Sequence, residues 1–556
     1  MPQVNVQSNN SQSGANNNSS LGLSRSATIE LATKSVLESL TSAELADHRL
    51  VEEKVLSECQ MRIEVENTFR SKGSKWQMLN TLLPAQIADI ILYSYKVVSI
   101  VVDGDFSHPS DTDLLALYND SGYDEGIYTS NPDKLLKLAR SYSYSMTTKD
   151  FVEVQAVLKA NAPRVGLCRD RNLIAVNNGI FDYDTKVLHP FDPNKVFTTK
   201  SRVDYNPNAY NVVIHNDEDG TDWDVENWMC DLSDDSEVVN LLWCILGAII
   251  RPNVRWNKSA WFYSESGNNG KGTLCVLMRE LCGAGSYASI SLSDFSKEFM
   301  LEPLVYASAI IVDENDVGTF IDKAANLKAV ITGDSILINR KYKSPIIATF
   351  RGFMVQCLNE MPRIKDRSDS FFRRQLFVPF MKTFMNSERK YIKDDYLHRK
   401  EVLEYVLYRV LNMSYYELPV PAVCVDALEA YKEFVDPVRA FMIEMMPLFQ
   451  WDLLPYQFLY ELYVEWYRRT SGGDRNVRGR QSFIKDVQRL VSQLFKDWVY
   501  TDKVSVRSGT RMDNAEPLIL EYNLRNWMNP LYISSNDPDK KCRPLLLEKY
   551  KGIYKK

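Results

Sequence analysis

Hydrophobic residues in the middle of the chain form short continuous runs separated by polar and glycine-rich stretches. The runs at 260–263, 309–312 and 353–358 end in turn-forming or charged residues. Runs of this length are typical of strands buried on both faces of a sheet. After the first run, apolar residues recur at helical spacing, at Leu274, Leu277, Met278 and Leu281. The pattern therefore predicts an α/β core in which strands alternate with helices.

The regions on either side of this core show other patterns. Residues 27–71 have helical periodicity, and residues 82–102 are apolar enough for a further helix or strand. Residues 401–413 predict another helix, and the prolines at 419 and 421 predict a boundary after it. Residues 1–26 are rich in Asn, Ser and Gln and nearly free of charge, which predicts a disordered tail.

The glycine-rich stretch SESGNNGKGT, Ser264–Thr273, joins the first apolar run to the helical pattern. Its glycines would let backbone N–H groups surround a phosphate where the N-terminus of a helix adds partial positive charge. Lys271 would then reach the β and γ phosphates. The predicted cofactor-binding residues are Gly267, Asn268, Asn269, Gly270, Lys271, Gly272 and Thr273.

Two positions depart from the usual phosphate-loop pattern. Glu265 stands where the first glycine belongs, and Gly272 follows the lysine directly. The hydroxyl that helps to hold magnesium is then Thr273, one position late. The Gly-Lys-Gly-Thr sequence resembles loops of nucleotide monophosphate kinases, and the alternative is a glycine-rich turn that binds nothing.

Asp313 and Glu314 follow the apolar run 309–312 directly. This pair suits a metal ligand beside a base, with Asp313 holding magnesium and Glu314 activating the water that attacks the γ phosphate. A solvated strand end would carry the same residues. Their position after a phosphate-binding loop favours the catalytic interpretation.

Three later polar positions are candidates for the same reaction. Asn359 ends the run 353–358 and would hydrogen-bond the γ phosphate or the attacking water, unless it only caps the next turn. Arg373 and Arg374 follow, and an arginine that crosses a subunit boundary can neutralise charge on the transferred phosphoryl group. Ordinary surface charges are the alternative, and Arg367 is another choice for this arginine finger.

Two apolar runs, at 336–338 and 346–347, flank a basic turn and predict a β-hairpin. The predicted DNA-binding residues at its tip are Arg340, Lys341, Tyr342 and Lys343. Positive charge beside an aromatic ring suits the backbone and the bases of single-stranded nucleic acid. A merely solvated tip is the alternative.

The order of these motifs resembles the superfamily III helicases, in the branch shared by phages, plasmids, integrated islands and the poxvirus primase-helicase. The acidic pair, Asn359 and the arginine pair fall where that family has its acidic strand, sensor and arginines. Residues 126–136 and 177–209 are similar to the segment that precedes the ATPase in this branch. The matching loop and hairpin-region positions are Gly267, Asn269, Gly270, Lys271, Thr273, Lys328, Gly333 and Asp334.

The resemblance implies an AAA+ type P-loop ATPase that binds ATP and Mg²⁺, with Thr273 and Asp313 on the metal. It implies a homo-oligomeric ring, by expectation a hexamer, that moves on single-stranded and forked DNA. Aromatic-rich helices after residue 438 and a helix at 482–490 resemble the winged-helix module that ends many relatives. Origin DNA and a separate primase are further expected partners.

The expected domains follow from these assignments. They are a tail at 1–26, an α-rich N-terminal region at 27–209, an ATPase core at 210–390, a helical linker or lid at 391–437 and a winged-helix-like domain at 438–556. Asp103, Asp105 and Ser107–His108 are similar to primase motifs, but their compressed spacing favours a strand-ending turn.

Composition and charge exclude several other classes. The nine cysteines form no CxxC pair and there are only five histidines, so neither a disulfide framework nor a zinc site is indicated. The longest apolar run, Leu241–Ile250, is too short for a bilayer, so we expect a cytoplasmic protein without a membrane partner. The net charge is −6, but acidic residues are concentrated in the stretch 217–237, and a ring whose basic residues line a central channel can be acidic overall and still hold DNA.

Two other functions remain open from the sequence. An origin-binding replication initiator ATPase would use the C-terminal region on DNA with little or no unwinding. A nucleotide kinase would use the Gly-Lys-Gly-Thr loop on a nucleoside monophosphate. The length of 556 residues, Asn359 and Arg373 oppose the kinase.

Overall fold

A computed structural model describes residues 23–102, 104, 106–107, 112–384, 389–471, 473 and 477–556. The chain divides into two compact units, one of Met1–Tyr205 with Leu337–Thr349 and one of Asn206–Ile336 with Phe350–Lys556. The tail up to residue 22 and Asp103, Asp105 and His108 of the primase-like motif lie outside the described residues.

The first unit contains helices packed on a small mixed sheet. Its elements are α1 (Arg25–Ser39), α2 (Ser42–Leu45), α3 (His48–Thr68), α4 (Pro84–Ser94), β1 (Val97–Val101), β2 (Leu114–Tyr118), β3 (Tyr128–Thr129), α5 (Pro132–Tyr142), α6 (Thr148–Asn161), β4 (Arg164–Gly166), β5 (Leu173–Val176), β6 (Gly179–Asp182) and β7 (Val187–His189). The helical pattern predicted for 27–71 is confirmed, and α1 begins slightly earlier, at Arg25, because Ser24 caps it.

Short polar residues set where these helices begin. Asp47 accepts hydrogen bonds from the first N–H groups of α3, and Thr147 and Asp150 form a reciprocal capping box on α6. The main sheet has the order β3-β2-β1-β4, in which β1 is antiparallel to β2 and parallel to β4. The strands β5, β6 and β7 form a separate antiparallel meander.

The second unit is built on a five-stranded parallel sheet. Its elements up to that sheet's last strand are β8 (Ile214–Asn216), β9 (Thr221–Trp223), α7 (Val225–Asp231), α8 (Ser236–Ile249), β10 (Ser259–Tyr263), α9 (Lys271–Cys282), β11 (Tyr287–Ala288), β12 (Ala309–Val312), β13 (Phe320–Ile321), α10 (Ala325–Thr332), β16 (Phe353–Leu358), β17 (Arg363–Ile364), α11 (Asp369–Phe372) and β18 (Gln375–Pro379). The intervening strands β14 (Ser335–Arg340) and β15 (Lys343–Thr349) pair as a hairpin, which from Leu337 to Thr349 belongs to the first unit.

The sheet has the order β11-β12-β16-β10-β18, and every neighbouring pair is parallel. The strands β10, β12 and β16 correspond to the three predicted apolar runs, and nearly all of their residues are buried. Helix α9 carries the predicted apolar stripe, and Gly283 follows it at φ 78° as its C-terminal cap. The α/β prediction is confirmed for this core.

Helices follow the sheet and lead into a C-terminal module. The elements are α12 (Lys390–Asp394), α13 (Lys400–Asn412), α14 (Ala422–Val435), α15 (Pro437–Met445), β19 (Leu453–Pro455), α16 (Tyr456–Ser471), α17 (Arg480–Leu494), β20 (Trp498–Tyr500), β21 (Val506–Arg507), α18 (Leu518–Glu521), α19 (Pro538–Lys541), β22 (Lys549–Tyr550) and β23 (Gly552–Lys555).

Helix α14 packs on the parallel sheet, although the sequence placed it in a linker or lid. The ring of Tyr431 lies 4.6 Å from that of Phe377 in β18, and its hydroxyl donates to the Pro362 carbonyl at 2.8 Å. The prolines at 419 and 421 therefore precede a core helix. Within the described ranges, no helix combines the length and apolar character needed to cross a bilayer.

The C-terminal module has one aromatic-rich core. Its three-stranded sheet has the order β19-β23-β20, with both pairings antiparallel. The aromatic residues that follow residue 438 pack inside, where the rings of Tyr463 and Phe483 stack at 4.8 Å. The helix predicted at 482–490 lies within α17.

Candidate nucleotide-binding site

The predicted phosphate-binding loop, the acidic pair and Asn359 meet at the carboxyl edge of the parallel sheet. Tyr263 at the end of β10 pairs with Leu358 at the end of β16, and Val312 of β12 pairs with Gln356. The segments that begin at Ser264, Asp313 and Asn359 therefore leave the sheet at one edge. Ligands of open parallel sheets bind at this edge, where helices on either side diverge.

Gly270 sets the path of the loop into α9. Its φ is 85°, a left-handed conformation that costs a residue with a side chain about 1–2 kcal/mol. A Cβ atom at this position would also lie 2.5 Å from Cδ2 of Leu232. Gly267 and Gly272 have open space around the same position. Of the three predicted glycines, Gly270 is the one that the backbone requires.

Hydrogen bonds hold the loop in place on both sides. Ser264 N–H donates to the Leu358 carbonyl at 3.2 Å, and Phe384 N–H donates to the Asn268 carbonyl at 2.7 Å. The Asn269 side-chain amide donates to the Ser266 carbonyl, and its oxygen accepts from Lys271 N–H at 3.4 Å. Asn269 thus braces the turn from within, which gives a structural reason for an asparagine at this position.

Lys271 is a buried cation with few partners. It begins α9, is 4% exposed, and its Nζ lies 3.4 Å from the Ser264 carbonyl oxygen. Burial lowers the pKa of its ammonium group. Among the described residues, no carboxylate forms an ion pair with it. A buried ammonium at a helix N-terminus with one carbonyl acceptor is suited to an anion such as phosphate.

Asp313 lies at the edge as predicted, but its carboxylate is engaged. Arg279 in α9 donates from Nη2 to Oδ1 at 2.9 Å and from Nη1 to Oδ2 at 3.2 Å. This hydrogen bonding with Arg279 lowers the pKa of Asp313. Glu314 beside it is exposed. The sequence analysis did not identify Arg279, because nothing local relates it to a residue on another strand.

The oxygen donors for a magnesium ion are limited but chemically suitable. Mg²⁺ in nucleotide sites keeps several waters and takes only one or two protein ligands beside the phosphates. Thr273, half-buried in the first turn of α9, and Asp313 supply a hydroxyl and a carboxylate. No cluster of three or more His, Cys, Asp or Glu side chains able to hold a metal occurs in the part of the chain that the structure describes. The residues present therefore fit a nucleotide-bound magnesium, with the phosphates completing the ligand set.

A buried amide pair supports the acidic edge and was missed by sequence reasoning. The amide of Asn315 donates to Gln356 Oε1 and to the Cys357 carbonyl, both at 3.0 Å. Its own oxygen accepts from Leu292 N–H at 2.9 Å, and Gln356 donates to the Ile290 carbonyl at 2.9 Å. This network fixes the segment just after Asp313 and Glu314 to the neighbouring strand. Asn359, in contrast, is exposed at the end of β16.

The arginine pair lies at the opposite edge of the sheet. Arg373 and Arg374 come directly before β18, whose first residue Gln375 pairs with Ser259 at the start of β10. They are thus separated from the loop Ser264–Thr273 of their own chain by a five-residue strand, a distance of about 16 Å. The Arg374 guanidinium donates to the carbonyl and hydroxyl oxygens of Ser370.

Arg373 is the freest of the three candidate arginine fingers. Its side chain is exposed and forms no hydrogen bond or ion pair with another described residue. Arg367 instead pairs with Asp436 at 3.4 Å. Asp436 is nearly buried, caps α15 and also pairs with Arg489 of α17 at 2.7 Å.

The predicted hairpin exists, and its tip is basic and aromatic. Lys341, Tyr342 and Lys343 are exposed, Tyr342 by 93%, and Lys341 Nζ lies 5.3 Å from the Tyr342 ring centroid. Arg340 differs from the prediction, since it is only 8% exposed and donates twice to the Ser344 carbonyl, at 3.0 and 2.9 Å. In this structure Arg340 stabilises the turn, and the other three residues form the exposed tip.

Two regions of the chain match families of known proteins. Residues 63–230 match the family described as "D5 N terminal like". This range includes the two segments, 126–136 and 177–209, whose resemblance the sequence suggested. Residues 262–374 match a family of unknown function, DUF5906, and this range includes the loop Ser264–Thr273 and the arginine pair. Neither match covers half of the chain.

Similarity to solved structures is weak. One apo structure of the NrS-1 C terminal region is 12% identical with a TM-score of 0.41, covering 77% of this chain and 97% of that chain. Another, the A form, is 12% identical with a TM-score of 0.39, covering 75% and 91%. These TM-scores are too low to assign the fold. The search of curated proteins found no match.

Proposed function

We propose that this chain is an ATP-dependent DNA helicase of the P-loop type that works as a hexameric ring during replication of a phage, plasmid or other mobile element. The observation that carries the proposal is Lys271. It is a buried ammonium group that begins α9, directly after a glycine in the left-handed conformation, at the carboxyl edge of a parallel sheet. Such a group is stabilised by a bound phosphate.

The chemistry of the site follows from the neighbouring residues. Backbone N–H groups of the loop and Lys271 hold the phosphates of ATP, while Thr273 and Asp313 would hold magnesium, which neutralises charge on the phosphates when bound. Glu314 orients and activates the attacking water, and Asn359 hydrogen-bonds the γ phosphate or that water.

An arginine finger completes the site from a neighbouring protomer. Because Arg373 lies at the opposite edge of its own sheet, it cannot reach the phosphates bound by its own loop. Its exposed side chain suits a site on the adjoining protomer, and a closed ring gives every loop such a neighbour. This geometry supports a ring and opposes a monomeric nucleotide kinase.

Two features support DNA as the partner. The match of residues 63–230 to the D5 N terminal like family agrees with the resemblance to replicative helicases. The exposed tip of the hairpin, with Lys341, Tyr342 and Lys343, offers cations for a phosphate backbone and a ring for stacking on bases. In the proposed ring these tips face the channel and hold one strand.

An origin-binding initiator ATPase is the second candidate. The C-terminal module favours it, because α15, β19, α16, α17, β20 and β23 follow one another in the helix and strand order of a winged helix. Helix α17 buries Phe483 and Val487 while Arg480 and Lys485 remain exposed, which suits a helix lying in a major groove.

Strand displacement distinguishes the two candidates. We expect the purified protein to hydrolyse ATP, to be stimulated by single-stranded DNA, to displace a labelled strand from a fork and to appear as rings in electron micrographs. Lys271→Ala should abolish both hydrolysis and displacement. Hydrolysis and origin binding without displacement would support the initiator, and absence of ATP hydrolysis by the wild-type protein would refute both candidates.

A further inference from the structure

Asp313 cannot serve a metal ion in the arrangement that the structure shows without some change at Arg279. Both of its carboxylate oxygens accept from the guanidinium group, at 2.9 and 3.2 Å. A two-pronged arginine–carboxylate contact fixes the carboxylate in orientation as well as neutralising it. A magnesium ion, or a water bound to it, must therefore share or displace this contact.

Arg279 belongs to the same helix as the residues that would hold the nucleotide. Lys271 begins α9 and Thr273 lies in its first turn, whereas Arg279 lies in its last turn. One helix thus carries the proposed phosphate-binding residues at its N-terminal end and Arg279, which pairs with Asp313, at its C-terminal end. The metal site is bounded by α9 on one side and by the end of β12 on the other.

The contact is solvated enough to exchange. The side chain of Asp313 is 48% exposed and that of Arg279 is 23% exposed. Pairs with this access to water are weak, since water and salt screen them. A dication next to Asp313 also repels the guanidinium group. These features are typical of an ion pair that a bound metal ion can displace, but whose loss weakens metal binding.

We infer that Arg279 competes with magnesium for Asp313, so that it sets the magnesium concentration at which the nucleotide site fills. This inference rests on the proposed function, because it takes Asp313 as a metal ligand. Arg279 acts through Asp313 and is a positioning residue. Arg279 neutralises the charge of Asp313 in the metal-free site, and its removal leaves a carboxylate that is open to the cation.

The test measures nucleotide binding rather than turnover. A fluorescent, non-hydrolysable ATP analogue is titrated into wild type, Arg279→Gln and Arg279→Lys, first in EDTA and then with increasing Mg²⁺. We expect binding in EDTA to be unchanged within about twofold. The Mg²⁺ midpoint, which is the Mg²⁺ concentration at half of the Mg²⁺-dependent change in analogue binding, should fall by about two- to fivefold in Arg279→Gln. This factor corresponds to the free energy of a solvated ion pair, and the midpoint should fall by less in Arg279→Lys.

Arg399→Gln is the matched control. Arg399 also makes a two-pronged contact, with Asp395 at 3.0 and 2.6 Å, outside the site, and its loss should leave the Mg²⁺ midpoint unchanged. If circular dichroism shows that Arg279→Gln is unfolded, the test rests on Arg279→Lys, because lysine keeps the positive charge but cannot donate to both carboxylate oxygens as the guanidinium group does.

The outcomes separate this inference from the proposed function. Superposed Mg²⁺ curves for wild type and both variants would overturn the inference alone. A higher midpoint in the variants would also overturn it, since Arg279 would then orient Asp313 for the metal. If the wild type bound no nucleotide with or without Mg²⁺, the proposed function would fail and the inference with it.

Discussion

Gly270 allows the left-handed backbone conformation that places the buried ammonium group of Lys271 at the N-terminus of α9. Its left-handed conformation turns the chain so that Lys271 can begin α9 while remaining buried. The neighbouring glycines at 267 and 272 meet no such constraint, because a Cβ atom at either position would lie in open space. A glycine pattern in the sequence cannot separate these roles, since all three residues look alike until φ is known.

Gly270→Ala should weaken nucleotide binding by about tenfold. The added Cβ disfavours the left-handed conformation by about 1–2 kcal/mol and approaches Leu232, so the loop spends less time in the shape that surrounds a phosphate. Binding of a fluorescent ATP analogue measures the effect. Gly267→Ala is the control and should stay within about twofold of wild type. Equal losses in the two variants would show that Gly270 has no special role.

The contacts around Asp313 mark the limit of residue-level prediction. The sequence placed Asp313 and Glu314 at a strand end, because an apolar run followed by carboxylates is a local pattern. It did not reveal Arg279 on Asp313 or Asn315 on Gln356, since each pair joins residues on different elements far apart in the chain. Likewise Arg340 looked equivalent to Lys341, although its guanidinium turns back to the Ser344 carbonyl.

At the scale of elements, the strands and helices of the core could be predicted from the sequence. The strands β10, β12 and β16 have continuous apolar runs because both faces of the parallel sheet are covered. Helix α14, which the sequence assigned to a linker or lid, packs on the sheet through Tyr431, whose ring contacts Phe377 and whose hydroxyl donates to the Pro362 carbonyl. Local periodicity gives a helix but not what it packs against.

The hairpin of β14 and β15 should couple hydrolysis to DNA. Lys341→Ala combined with Lys343→Ala removes the two exposed cations beside Tyr342, so we expect DNA stimulation of ATP hydrolysis to fall by about tenfold or more. Hydrolysis without DNA and binding of the ATP analogue should not change. The matched control removes two other exposed lysines, Lys137 and Lys149, and should leave DNA stimulation intact.

Salt dependence adds a second measurement to the hairpin prediction. Each phosphate contact contributes to the fall of DNA affinity with salt, so the double variant should show a shallower slope than wild type. If DNA stimulated hydrolysis by the double variant as strongly as it does by wild type, the hairpin would not be part of the DNA-binding surface.

The C-terminal module contains a carboxyl group that makes its stability depend on pH. Glu516 is fully buried, its Oε2 accepts from Gln450 N–H at 2.9 Å, and its Oε1 has no hydrogen-bond partner in the described part of the chain. Burial raises the pKa of Glu516 from 4.5 to about 7. Between these values the folded protein keeps the proton and the unfolded chain loses it, so the free energy of unfolding decreases as pH rises through this window.

Glu516→Gln should remove this decrease. The contribution of the wild-type carboxyl is at most about 3 kcal/mol between pH 4.5 and 7, and the amide does not titrate. Chemical denaturation at several pH values, followed by the fluorescence of the buried Trp451, measures it. Exposed Glu521→Gln is the control and should keep the wild-type slope. A Glu516→Gln variant with the same slope as wild type would contradict the assignment.

At the scale of the whole molecule, the position of Arg373 makes the proposed active site a property of the assembly. The phosphate loop and Arg373 lie at opposite edges of one sheet, so a single chain presents half of a site at each edge. When two protomers are related by a rotation, the edge of one sheet that carries the loop can face the edge of the neighbouring sheet that carries Arg373. Repetition of this contact closes a ring. We therefore expect neither half-site to hydrolyse ATP efficiently alone, because the transition state would lack either its phosphate anchor or its compensating cation.

Mixing two inactive variants tests this arrangement. Lys271→Ala lacks the anchor but keeps Arg373, whereas Arg373→Ala keeps the anchor and lacks the finger, so each should be inactive by itself. In a ring formed from equal amounts, an Arg373→Ala loop meets a Lys271→Ala neighbour at about one interface in four, and hydrolysis should recover to about a quarter of wild type. The control is a mixture of wild type with the double variant that lacks both Lys271 and Arg373. This double variant cannot complete a site with any neighbour, so the mixture measures the effect of diluting wild-type subunits. If Arg373 acted within its own chain, no mixture of the two single variants would recover activity, because every chain would lack one of the two groups.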